Sequence, residues 1–353
     1  MFSKIKVFLK KLLPPPVHTF MREINRLSAE INRVSEKVNE LNNKILWNNK
    51  FEKGVVSENW GKVTEQADFS EKYLKLVSGL DSESARTVNK ILERQRKYLS
   101  TDNMPLDLFT LDEQKQLREL YENFTCEILK VSEDIYAYRN YLLPTKELDA
   151  SVLYYKHGID QISSLESLKG KCIVDVGGFV GDSVLVLSEL NPQSIYTFEA
   201  EPKNFELLKK TISMNNVPNV VAENLALSNK TGEMVLHVAG SGTTGIDRPG
   251  INYTMDIKVP MTTLDDYVAE HGLSVGLIKV DIEGGEPLFL EGAKNTICQQ
   301  KPILLISIYH NAHDFFELKP LVESWNLGYT FKIFKPLYNN LTSETLLIAE
   351  INN

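Results

Sequence analysis

The chain has 353 residues, 42% of them apolar and 24% charged, with a formal net charge of −8. That length admits two domains or one domain with a long extension, and the apolar share supports a full hydrophobic core. The acidic balance speaks against a general nucleic-acid binder, because polyphosphates are held by clustered Lys and Arg.

Cys126, Cys172 and Cys298 lie far apart and show no metal-ligand spacing, and the histidines form no zinc signature. The thiols are therefore expected to be reduced, as in the cytoplasm, and no metal site is expected.

Residues 1–16 form a first segment. Phe2, Ile5, Phe8, Leu9, Leu12 and Leu13 share one helical face, Lys4, Lys10 and Lys11 the other, and Pro14-Pro15-Pro16 ends the stretch. Lysines interrupt the apolar core and no small-residue cleavage site follows, so a signal peptide is not expected. No apolar run approaches the ~18 residues a membrane span needs. A basic amphipathic helix of this kind can lie on an anionic membrane surface, which gives peripheral membrane contact through residues 1–13; packing on its own protein is the alternative.

Residues 17–46 carry apolar side chains at Val17, Phe20, Ile24, Leu27, Ile31, Val34, Val38, Leu41 and Ile45. The spacing alternates three and four, which predicts a coiled coil. From Ile24 onward β-branched residues fill a and mostly Leu fills d, the choice that favours a parallel pair of helices and so a homodimer. The alternative is a single helix docked on its own globular domain.

Residues 47–149 read as a helical region. A connector with Trp47 and Trp60 runs to about 70, and a helical stretch follows over 73–99. Thr110-Leu111-Asp112-Glu113 is a capping box, in which Thr and Glu satisfy each other's backbone donors. The helix it opens is expected to carry Leu117, Leu120, Tyr121, Phe124, Ile128, Val131 and Ile135 on one face and to stop at Pro144.

From 150 to 353 short apolar runs alternate with amphipathic ones. Strands are expected near 171–176, 194–199, 218–224, 276–282 and 302–309, with helices near 183–190, 202–215, 263–271, 285–294 and 313–326. That alternation predicts a doubly wound, mostly parallel α/β sheet. The runs 328–335 and 344–351 lack a helix between them and pair most simply as an antiparallel hairpin. Extended runs at 232–239 and 255–260 flank the loop Gly240-Ser241-Gly242-Thr243-Thr244-Gly245.

Ligands of such sheets sit beyond the carboxyl ends of the strands. The first end is Asp175-Val176-Gly177-Gly178-Phe179-Val180-Gly181-Asp182-Ser183, a glycine turn into a helix, where the backbone can pass close to a nucleotide-like cofactor. The second is Glu199, 24 positions beyond Asp175, placed to accept from both ribose hydroxyls of an adenosine. The third is Asn224-Leu225-Ala226, placed against an adenine. The fourth is Lys279-Val280-Asp281-Ile282-Glu283, where alternate charges on an apolar strand are costly unless paired or used.

Together these motifs resemble the FkbM family of S-adenosylmethionine-dependent methyltransferases over about residues 150–351. Further motifs join them in order: Glu201-Pro202-Lys203-Asn204-Phe205, Ala226-Leu227-Ser228, Thr263-Leu264-Asp265-Asp266, and Glu286 with Glu291-Gly292. Gly178 and Ala200 depart from the family pattern at positions where no cofactor-binding group is needed. The resemblance implies a class I, Rossmann-like methyltransferase fold that binds S-adenosylmethionine. For the family it implies mostly O-methylation of sugar or natural-product hydroxyls, here a glycan or other small-molecule acceptor in surface-polysaccharide synthesis. Asp175, Gly177, Gly178, Gly181, Asp182, Ser183, Glu199, Asn224, Ala226 and Asp281 are the expected cofactor contacts.

Methyl transfer to an alcohol also needs a proton acceptor. The candidates past the fourth and fifth strands are Asp281, Glu283 and His310. Lys279 is expected to pair with a carboxylate instead. Other readings remain open: an amine or another small-molecule acceptor, Mg²⁺ held by Asp281, Glu283 and His310, or a non-catalytic coiled-coil scaffold. A nicotinamide dehydrogenase is disfavoured, because Gly177, Gly178 and Gly181 do not make Gly-x-Gly-x-x-Gly.

Overall fold

The computed structural model describes residues 16–48, 62–100, 108–239, 242–245, 253–338 and 340–351. The amphipathic stretch 1–13, Trp60, Gly240 and Ser241 lie outside them. Two compact units are present, Met1–Phe51 and Glu52–Asn353.

The first unit contains one long helix, α1 (Pro16–Asn48). Ile24, Leu27, Ile31, Val34 and Val38 from its three-and-four stripe are all exposed within the single chain.

In the second unit α2 (Phe69–Val77) and α3 (Ser82–Ser100) come first, followed by α4 (Leu111–Asn123). Thr110 and Glu113 form the expected capping box, and Arg94 and Lys90 both pair with the Glu113 carboxylate. The helix does not run to Pro144. Phe124 caps it, and a three-stranded antiparallel sheet follows: β1 (Leu129–Lys130), β2 (Tyr136–Tyr138) and β3 (Tyr141–Leu143). Ser132-Glu133-Asp134 makes the turn, with the Val131 amide bonded to the Ile135 carbonyl at 2.8 Å. Leu129 and Val131 are exposed there, so the apparent helical stripe beyond Phe124 buries no common face.

A short α5 (Ala150–Leu153) leads into the main sheet. Its elements are β4 (Cys172–Val176), α6 (Asp182–Ser188), β5 (Ile195–Phe198), α7 (Pro202–Met214) and β6 (Val220–Glu223). An inserted sheet follows, made of β7 (Ala226–Leu227), β8 (Gly232–Ala239), β9 (Gly242–Thr244) and β10 (Met255–Thr262), in the order β7-β10-β8-β9.

The chain then returns through α8 (Leu264–His271), β11 (Val275–Val280), α9 (Glu286–Gly292), α10 (Lys294–Gln300), β12 (Ile303–Ser307) and α11 (Ala312–Ser324). It ends with β13 (Thr330–Phe334) and β14 (Leu346–Glu350).

The seven-stranded order is β13-β14-β12-β11-β4-β5-β6. The five strands β12, β11, β4, β5 and β6 are parallel, and β14 runs antiparallel to both β12 and β13. This is the doubly wound sheet with a terminal hairpin that the sequence pattern predicts. Alternate residues feed two cores. Val174, Ile278, Leu304 and Leu347 face one layer, while Ile173, Leu277, Leu305 and Ile348 face the other.

Leu76, Val88, Ile91 and Leu92 belong to the first of these cores. Helices α2 and α3 therefore pack on the sheet rather than forming a separate helical body. The boundary expected at 149 is no break in packing.

Candidate active site

The strand order reverses between β4 and β11, and the crevice opens at their carboxyl ends. Gly177, after β4, has a φ of +82°, which favours glycine. A Cβ there would stand 1.9 Å from the Asp281 carbonyl oxygen, so a side chain would force the two strand ends apart. Gly178 is as confined, with its Cβ position 2.3 Å from Thr197 Oγ1. Both glycine amides donate to the Phe198 carbonyl at 2.9 Å, and Gly181 then leads into α6.

Asp175 holds this turn from behind. Its Oδ2 accepts from Ser183 Oγ and Thr197 Oγ1, each at 2.8 Å, and Lys279 Nζ lies 3.0 Å from its Oδ1. Lys279 also donates to the Gly177 carbonyl at 2.6 Å. Burial works against the lysine's charge, but Asp175 and Asp281 outweigh it and raise its pKa. Lys279 is thus the pairing residue the sequence suggests.

Glu199 sits at the end of β5 and is 6% exposed. Its two oxygens accept from the Phe179 and Glu201 amides, each at 2.8 Å. Burial pushes its pKa up to about 7, against the lowering effect of those amides and Lys279. The Asn224 amide donates to the Glu199 and Ala200 carbonyls at 2.8 and 3.1 Å, so it braces the strand end.

His310 is buried below Asp281. Its Nε2 lies 3.2 Å from Asp281 Oδ1 and 3.7 Å from Glu283 Oε2, and its Nδ1 lies 3.1 Å from Glu286 Oε1. Burial disfavours the imidazolium, yet Glu286, Glu283 and Asp281 together raise its pKa well above the ordinary value. A histidine charged at neutral pH, with carboxylates at both nitrogens, is not free to take a proton. His310 therefore serves as a counter-ion, which corrects the expectation of a base.

Burial would raise Asp281 as well, but His310 and Lys279 hold it below the usual carboxylate range, so it is a fixed anion. Asp281, Glu286 and His310 have ligand atoms close enough to surround an ion. Glu286 Oε1, however, already accepts from the Ile282 amide at 2.9 Å, and the imidazolium supplies the cluster's positive charge.

A cavity of about 330 Å³ joins these parts. Gly177, Asp182, Ser183, Glu199, Ala226, Asp281 and Glu283 line it; Asp175, Gly178, Gly181, Asn224 and His310 do not. Burial pushes Asp182 up to about 7.

One stretch of the cavity wall was not foreseen. Asp149, Ser151, Val152, His157, Tyr309 and Glu344 line it, together with Met234, Leu236 and Gly245 from the inserted sheet. His157 is 3% exposed, and burial, aided by Lys279, holds its pKa down to about 4, so it is neutral near pH 7. Strand-end reasoning misses most of these residues, since Asp149 to His157 precede β4 and Glu344 precedes β14. The one local signal was Asp149, which caps α5 by accepting from the Ser151 amide at 2.7 Å.

Comparison with known proteins bears on the family and the fold. The methyltransferase FkbM domain matches residues 175–333. Methyltransferase 1 of Beauveria bassiana (strain ARSEF 2860) is 24% identical over 233 residues, covering 60% of this chain and 92% of the relative. The crystal structure of methyltransferase FkbM from Methylobacillus flagellatus KT shares the fold, with a TM-score of 0.53 at 17% identity. That match covers 82% of this chain and 60% of the other, so the chain spans less than two thirds of that protein. Asp149, Ser151, His157 and Glu344 all fall outside the 175–333 match.

Proposed function

We propose that this chain, whose residues 175–333 are a methyltransferase domain of the FkbM family, uses S-adenosylmethionine to methylate a hydroxyl of a sugar in a surface polysaccharide or its precursor. The observation that carries the reading is Glu199. It is buried at the cavity wall, and each of its oxygens accepts one backbone amide. Each oxygen keeps a further lone pair, as a site for two ribose hydroxyls requires. The contact between the Gly177 turn and the Asp281 backbone closes the crevice with main chain rather than side chains.

When bound, the cofactor supplies a methyl group already activated on a sulfonium, and the chain's part is alignment and proton handling. The Asp175–Lys279 pair fixes the glycine turn, and His310 keeps Asp281 ionised beside the cavity. On the cavity wall Asp149, Ser151, Tyr309 and Glu344 offer carboxyl and hydroxyl groups, which suit a neutral acceptor rich in hydroxyls.

The proposal includes a homodimer through residues 17–46 and cytoplasmic location at the inner face of the membrane, with residues 1–13 as the contact. Its supports are the exposed stripe on α1 and the basic amphipathic sequence before it. Among the described residues no helix is long and apolar enough to cross a membrane.

Calorimetry with S-adenosylhomocysteine tests the cofactor. The native chain should bind, and Glu199→Ala should weaken binding by about tenfold or more, the loss expected when hydrogen bonds to a charged group go. Transfer of labelled methyl from S-adenosylmethionine to nucleotide-sugar or lipid-linked glycan fractions of the host tests the acceptor. Undiminished binding by Glu199→Ala, or label found only in non-glycan fractions, would overturn the corresponding half.

A further inference from the structure

Asp149, Ser151 and Glu344 meet in a way that the reading above leaves unused. Ser151 is 3% exposed, and its Oγ stands 2.7 Å from Asp149 Oδ1 and 2.8 Å from Glu344 Oε2. A serine hydroxyl carries one hydrogen, whereas two oxygen–oxygen contacts of this length need two. The second hydrogen has to sit on a carboxyl group. Asp149 and Glu344 therefore hold one proton between them, relayed by Ser151, as two like charges in one enclosed site must.

The groups facing them agree. Lys335 and Asp281 act on both carboxyls, and Tyr309 and Tyr338 border them with their phenols kept protonated. Burial raises Asp149 and, with Asp149 and Asp281 adding to it, pushes Glu344 up to about 8. Burial also lowers Lys335 to about 7, so it does not fully neutralise the pair. Glu344 keeps a φ of +66°, a conformation a non-glycine residue holds only when its surroundings impose it.

We propose that the Asp149–Ser151–Glu344 group is the proton acceptor for methyl transfer, a role that rests on the hydroxyl-acceptor reading above. The acceptor O–H passes its proton to the ionised carboxylate as its oxygen forms the new O–C bond. The C–S bond breaks and leaves its electron pair on sulfur. The group, now holding two protons, returns one to solvent.

Two measurements on the full chain test this. Infrared difference spectra with S-adenosylhomocysteine present need no acceptor. Native minus Glu344→Gln, and native minus Asp149→Asn, should each show a protonated-carboxyl band at pH 6.5 that disappears as the pH rises through about 8, where Glu344 gives up its proton. Ser151→Ala should shift that band.

In the labelled-methyl assay Glu344→Gln and Asp149→Asn should each lose about 100-fold or more in kcat, the usual worth of a general base. A loss of kcat larger than any accompanying loss of S-adenosylhomocysteine affinity marks the proton role, since α5 packs against α6 and Asp149 acts on Asp182. Absence of the band, or unchanged transfer by both variants, overturns the proposal. The two readings fail separately: a native chain that binds no S-adenosylhomocysteine sinks the cofactor assignment, while the infrared difference still decides the shared proton.

Discussion

Glu199 shows how one residue's environment sets a measurable pH dependence. Its pKa in the folded chain is pushed up to about 7, whereas an unfolded Glu titrates near about 4.3. The folded state thus holds an extra proton between those values, and ligand-free stability should fall as the pH rises through that window. Binding has the opposite sign. Ribose hydroxyls donate to the carboxylate, so S-adenosylhomocysteine affinity should drop by up to about tenfold per pH unit below about 7 and level off above it. Calorimetry across that range checks this, and a profile equally steep in Glu199→Gln would refute it.

Much of this residue-level chemistry was legible from the sequence. An acidic residue directly after a buried apolar run, at the right distance from a glycine turn, has few roles. His310 was legible as a neighbour of Asp281 but not as a counter-ion, because that role depends on Glu286 beneath it. Asp149 and Glu344 lie 195 positions apart, and no local pattern announces that one serine joins them.

Among the elements, the parallel strands are the most readable. The central ones are short runs buried on both faces, as in Ile173 and Val174 of β4, and such runs have few competing folds; β6, at the sheet edge, is only half-buried. The stretch after Phe124 was not readable, because apolar residues at Ile128, Val131 and Ile135 fit a helical period as well as a small sheet. Only burial separates the two, and Val131 is exposed.

The β4 turn offers a test at this scale. Gly177→Ala would place a methyl 1.9 Å from the Asp281 carbonyl at a φ of +82°. Gly272, at a φ of +62° with nothing within 4 Å of its Cβ position, isolates the backbone penalty. In urea unfolding Gly272→Ala should cost about 1 kcal/mol, the scale of a left-handed residue without a clash. Gly177→Ala should cost several times more and abolish S-adenosylhomocysteine binding. Equal costs would mean that the β4–β11 contact is not what confines the turn.

For the whole molecule, the stripe on α1 sets the expectation. Ile31 and Val34 are 66% and 56% exposed in the single chain, which is unfavourable for a repeated apolar seam unless a second helix covers it. Light scattering after gel filtration should give twice the chain mass for the full protein and a single chain mass after deletion of 1–46. Monomers in both cases would remove the coiled coil from the proposal. The heptad was legible without a structure; its partner was not, since an apolar stripe names no occupant.

The last strand of the chain, β14, lies inside the sheet rather than at its edge, between β12 and β13. During synthesis β4, β5, β6, β11 and β12 can all emerge and pair before it exists. β13 must then wait for a neighbour that is made after it. The turn that delivers β14 also delivers Glu344 to the cavity wall. The strands that carry Glu199 can therefore pair on the ribosome before Glu344 reaches the cavity wall. A chain cut short by a dozen residues would lose Glu344 and β14 together, and Leu347 and Ile348 of that strand fill both cores.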